Sequence, residues 1–76
     1  MREKILEILY EIDDTVEYET SDNFIDDGII DSYQMVEIVD GIESAFDIEI
    51  SGRDIVPENF ANLDAIEMML KKYIEE

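Results

Sequence analysis

Cysteine, histidine and tryptophan are all absent from this 76-residue chain, and proline occurs once. The lack of cysteine excludes disulfides and thiolate metal sites. The lack of histidine removes the side chain that normally shuttles protons near neutral pH. Carboxylates remain, but one small domain offers them little buried space in which to shift a pKa. The chain is therefore expected not to be an enzyme, and any thiol chemistry would have to come from an attached group. Positive charge is scarce as well: five basic residues face 22 acidic ones, for a formal net charge of −17. Arg2, Lys4, Arg53, Lys71 and Lys72 are the five, so nothing between Ile5 and Gly52 is basic. A field of that sign repels nucleic acid and anionic membrane and favours proteins with Lys/Arg patches. The same acids, read blandly, keep a small domain in solution. No stretch reads as a signal peptide or reaches the length of a membrane span, so the expectation is a cytoplasmic protein without membrane insertion.

What is present is apolar periodicity. Residues 1–76 leave room for one domain, and its stability must come from packing the 46% of residues that are apolar. Ile5, Ile8, Leu9, Ile12 and Val16 fall on one helical stripe, which predicts an amphipathic helix from Met1 to about Asp13. From Glu17 to Asp31 the pattern breaks, and Thr20, Ser21, Asp22, Asn23 and Gly28 predict a long loop pinned to the core by Phe24, Ile25, Ile29 and Ile30. A second helix is predicted to start at Asp31–Ser32, with Asp31 as N-cap and Gln34 at N3 in a variant capping box. Ile30 and Met35 stand at the positions of a hydrophobic staple, and Met35, Ile38, Val39, Ile42 and Phe46 form the buried stripe. Gly41 interrupts that stripe, which a close approach by another helix would explain.

After the short alternating run Asp47–Ile50, Pro57 suits the first position of a helical turn over Pro57–Phe60. Asn62 then caps a final helix with the stripe Leu63, Ile66, Leu70, Tyr73 and Ile74, and Lys71 and Lys72 complement its dipole. The expected fold is an all-α bundle of three long helices plus one short helix.

By itself, Asp31-Ser32 reads as a good helix start and no more. If Asp31 is the cap, however, the Ser32 hydroxyl is not consumed by capping. It then projects into solvent at the positive end of a helix, where a phosphodiester would gain from free N–H groups and the macrodipole. The string Asp26-Asp27-Gly28-Ile29-Ile30-Asp31-Ser32-Tyr33, followed by Met35-Val36-Glu37-Ile38-Val39 and later by Phe46-Asp47-Ile48-Glu49-Ile50, resembles the prosthetic-group site of the acyl carrier protein superfamily. The similarity spans nearly the whole chain. It implies a small acyl-carrier-like bundle in which Ser32 bears a 4′-phosphopantetheine arm donated by coenzyme A through a separate phosphopantetheinyl transferase. Fatty-acid carriers usually place glycine three residues before the serine and leucine after it. Here Gly28 is four residues before, and Tyr33 follows. That spelling looks more like D-alanyl and other free-standing aminoacyl carriers. The resemblance further implies an acyl- or aminoacyl-adenylating ligase and a downstream acyltransferase or synthase as partners, with the carrier itself a monomer.

Helix geometry places Tyr33, Val36, Glu37, Asp40, Glu43 and Ser44 on the exposed side of the second helix near Ser32. They read as a partner-binding face or as an ordinary solvated face; two apolar members beside the proposed arm favour the former. Met35, Met68 and Met69 read as core filling rather than as an acyl cleft. A calcium loop is rejected, because setting Gly28 at its sixth position puts Ile25 at the third and Gln34 at the twelfth. The expectation is no metal. Two alternatives stay open: a carrier of fatty-acid or polyketide synthesis, and a small acidic adaptor without a prosthetic group.

Overall fold

The computed structural model describes residues 1–74. Three α-helices, α1 (Arg2–Ile12), α2 (Ser32–Phe46) and α3 (Leu63–Lys71), are joined by segments containing short 3₁₀ turns at Tyr18–Thr20, Gly52–Asp54 and Pro57–Phe60. Among the described residues there is no strand, and no helix is long and apolar enough to cross a membrane.

The expected fourth helix is not an α-helix. Pro57 occupies the first position as anticipated, but the segment is four residues of 3₁₀ turn, with Asn59 N–H bonded to the Val56 carbonyl at 3.0 Å. Extended Asn62 (φ −158°) follows almost at once, so no room exists for an i→i+4 ladder. The third helix is also shorter than its stripe suggested. Beyond Lys71 the backbone tightens, with Lys72 and Tyr73 donating to the Met69 and Leu70 carbonyls at 3.1 and 2.9 Å. Tyr73 and Ile74 therefore pack on the core from a turn. Val16 likewise lies past the end of α1, half-buried against the same core.

One apolar cluster unites the helices. Ile5, Ile8 and Leu9 come from α1, Met35, Ile38, Val39 and Ile42 from α2, and Leu63, Ile66, Met69 and Leu70 from α3. Each set is the stripe that a 3.6-residue period puts on one face. At Gly41 α2 lies close against α1, since a Cβ there would lie 2.7 Å from Cγ2 of Ile8. The expected close approach is thus real. Met35 and Met69 fill the core, whereas Met68 is 71% exposed and does not.

The long connection after α1 is held down residue by residue. Tyr18 is buried, and its hydroxyl donates to the carbonyls of Leu9 (3.1 Å) and Asp13 (2.8 Å) at the C-terminal end of α1. Its ring meets Tyr10 and Phe24 edge-on at 5.4 and 5.6 Å. Burial, and then the nearby Asp13 carboxylate, push the Tyr18 hydroxyl up to about 12. Phe24 is fully buried and its N–H donates to the Ala61 carbonyl. Asn62 caps α3 through Oδ1 (Ala65 N–H, 2.8 Å) and reaches back through Nδ2 to the Asp22 carbonyl (3.1 Å). The loop and the start of α3 are consequently one unit.

The scarce cations serve the ends of the bundle. Arg2 at the start of α1 pairs with Asp64 and Glu67 of α3, holding the Glu67 carboxyl below its usual range and the guanidinium above its own. Tyr73 donates its hydroxyl to Asp54 and accepts the Ser51 N–H at 3.0 Å, tying the Ser51–Asp54 segment to the end of α3. That bond, with Lys72 at 3.7 Å, keeps the Asp54 carboxyl below its usual range.

Candidate functional site

Ser32 is the first residue of α2, and the helix start beside it has reciprocal capping. Asp31 Oδ1 accepts the Gln34 N–H at 2.8 Å, and Gln34 Oε1 accepts the Asp31 N–H at 3.1 Å. Each polar side chain satisfies a backbone donor that the helix itself leaves open. Ile30 and Met35, at the staple positions, are both buried. The chain therefore enters α2 with its direction fixed from below by apolar packing and from above by the capping box.

Since Asp31 does the capping, the Ser32 hydroxyl is left over. Ser32 is exposed, and its hydroxyl takes part in no hydrogen bond among the described residues. The N–H groups of Ser32 and Tyr33 also find no acceptor there. Two open amides and a free hydroxyl at the positive end of a 15-residue helix form a place where an esterified phosphate is electrostatically welcome. Gly28 takes the left-handed conformation (φ 73°) with open space where a Cβ would stand, and the Gly28 N–H bonds to the Ile25 carbonyl at 3.1 Å. A phosphopantetheine ester fits these residues.

Tyr33 and Val36 are 74% and 54% exposed, an uncovered apolar step next to Ser32. Glu37 and Asp40 are exposed on the same side of α2. Glu43 departs from the expected pattern. It is half-buried, and its Oε2 accepts the Ile50 N–H at 2.8 Å, so this carboxylate anchors the segment after α2 rather than standing free on the face. An amide that would otherwise be orphaned beside the core explains why an acid sits there.

Tertiary structure adds residues that helix geometry could not supply. Glu37 and Asp40 form one bank of a groove of about 380 Å³, whose other bank is Glu11 and Ile12 of α1 and whose floor is Ile8 and Gly41. Glu11 is visible in the sequence only as a polar residue off the α1 stripe, and nothing local indicates its proximity to Glu37. Tyr18 gives no local signal either, being a single aromatic between two glutamates. Among the described residues no group of three or more acidic side chains is placed to hold a metal ion.

No protein-family model, curated protein or solved structure matches this chain.

Proposed function

We propose that this chain is a free-standing carrier that bears a 4′-phosphopantetheine arm on Ser32 and presents an acyl or aminoacyl group to partner enzymes. The observation that carries the reading is the free Ser32 hydroxyl beside open amides at a capped helix start. When attached, the arm supplies a terminal thiol that holds the cargo as a thioester. The chain's own part is mechanical and electrostatic. Asp31 and Gln34 hold the first turn of α2 rigid. Ser32 Oγ takes the phosphopantetheinyl group from coenzyme A, with adenosine bisphosphate leaving and the hydroxyl proton passing to the transferase.

Tyr33, Val36, Glu37 and Asp40 then offer partners an apolar step flanked by carboxylates. Basic surfaces on a phosphopantetheinyl transferase, an adenylating ligase and a downstream acyltransferase or synthase fit that face. A monomer is sufficient for this role, and tethering raises the effective concentration of the cargo at each partner in turn. The cytoplasm, where coenzyme A and ATP are available, suits the role. The spelling around Ser32 favours aminoacyl or short acyl cargo over fatty-acid or polyketide intermediates.

Intact-mass spectrometry after incubation with coenzyme A and a broad-specificity transferase tests the proposal. One added phosphopantetheine on the native chain, absent from Ser32→Ala, is expected. A native chain that stays unmodified while a control carrier is converted overturns the reading. It would leave the acidic adaptor, for which Ser32→Ala is silent and charge reversal along α2 abolishes partner binding.

A further inference from the structure

Resting on the carrier reading, we infer that the group borne at Ser32 stays in solvent outside the helices, which restricts the cargo to short acyl and aminoacyl groups and disfavours long aliphatic chains. The inner face of α2 behind Ser32 is occupied. Met35, Ile38, Val39 and Ile42 are buried in one cluster with Phe24 and Phe60, both of them 0% exposed. A chain entering there must displace close-packed side chains, two of them aromatic rings. Ile30 and Met35, flanking Ser32 in the chain, are themselves buried and close the direct route from the hydroxyl to the core.

The seam between α1 and α2 is shut as well. At Gly41 even one added carbon would stand 2.7 Å from Ile8. Open space at that seam lies on its outside, in the groove of about 380 Å³ and an adjoining one of about 250 Å³. Carboxylates line both, Glu11, Glu37 and Asp40 in the first and Glu7 and Glu11 in the second. Methylenes laid there would remove little apolar area from water and would strip hydration from carboxylates. A short group with polar atoms gives up nothing by remaining in water.

The test loads acetyl, butanoyl, hexanoyl and octanoyl arms onto Ser32 from the matching acyl-coenzyme A with the same transferase. Thioester cleavage by hydroxylamine is then timed against the free acyl-pantetheine of equal length, and melting temperatures are recorded. The ratio of protein-bound to free rate is expected to be the same for all four, with coincident melting temperatures. Burial of the chain would slow cleavage about fourfold per shielded methylene, the factor equivalent to one CH₂ transfer, and would raise the melting temperature with length. Either trend overturns the inference and leaves the carrier reading standing. Failure of every arm to load on Ser32 overturns the carrier reading and the inference together.

Discussion

Substituting Gly41 by alanine tests how tightly α1 and α2 are joined. In an isolated helix the change is favourable, by about 0.5–1 kcal/mol, because glycine loses more backbone freedom on folding. In this structure the new Cβ would lie 2.7 Å from Ile8 Cγ2, 3.6 Å from Cγ1 and 3.7 Å from Cβ, and every one of those atoms belongs to Ile8. Overpacking of that kind costs about 1–3 kcal/mol. The two effects together leave Gly41→Ala roughly neutral to 2.5 kcal/mol destabilised.

Ile8→Ala alone removes a buried branched side chain and costs about 2–5 kcal/mol. It also deletes both γ carbons, so that only the contact at 3.7 Å, an ordinary one, remains for a new Cβ. In that background Gly41→Ala should stabilise by about 0.5–1 kcal/mol. The double-mutant cycle should therefore show a coupling of about 1–3 kcal/mol, with a change of sign. Urea denaturation at constant m-value reads it out. Work at high salt keeps the weakest variants folded, since a 76-residue domain is stable by only about 4–11 kcal/mol. If Gly41→Ala has the same effect in both backgrounds, the close approach at Ile8 is wrong.

Tyr18→Phe removes a hydroxyl that bonds the end of α1, and it should cost about 0.5–1.5 kcal/mol by chemical denaturation. The figure stays modest because the Leu9 carbonyl keeps its bond from the Asp13 N–H. The folded state holds the Tyr18 proton more tightly than the unfolded chain does. Its contribution is therefore complete below pH about 10 and lost as pH rises towards about 12. Tyr18→Phe should flatten that part of the stability profile; an unchanged profile would assign the alkaline loss to Tyr73, whose bond to Asp54 also raises it. Asp47 ends α2 in the left-handed conformation, with φ 57°. Asp47→Gly should stabilise by about 0.5–1 kcal/mol and Asp47→Val should destabilise, as measured by thermal melting. Fifteen acids and no base lie between Ile5 and Gly52, so the melting temperature should rise as sodium chloride increases from low concentration to about 0.15 M. A flat response would mean that the repulsion is already dispersed.

Much of the site was readable from local sequence, because the interactions that make it are local. Asp31, Gln34, Ile30 and Met35 lie within six residues of one another. A capping box and a staple depend only on the backbone geometry of one turn. That Asp31 rather than Ser32 would cap, leaving the hydroxyl free, followed from the same spacing and is what the structure contains. The helical stripes were legible for a similar reason, since a period of 3.6 residues is a property of the chain alone. Helix ends were less so. α3 stops at Lys71 although its stripe runs on to Ile74, because apolar residues in a turn pack on the core as well as those in a helix. The four residues from Pro57 to Phe60 are too few to choose α over 3₁₀ by themselves.

The sequence by itself determined the charge, the absence of thiol and imidazole, the three amphipathic stripes and the start of α2. Each of these is set by composition or by neighbours within a few positions. Only the tertiary structure decided that Glu43 turns inward to the Ile50 amide, that Glu11 faces Glu37 across a groove, and that Tyr18 and Asn62 lash the loop to α1 and to α3. These contacts join residues whose mutual distance is fixed by how the helices cross. That crossing depends on which side chains interlock: Gly41 hinted at a close approach, but no local pattern named Ile8 as the residue it meets.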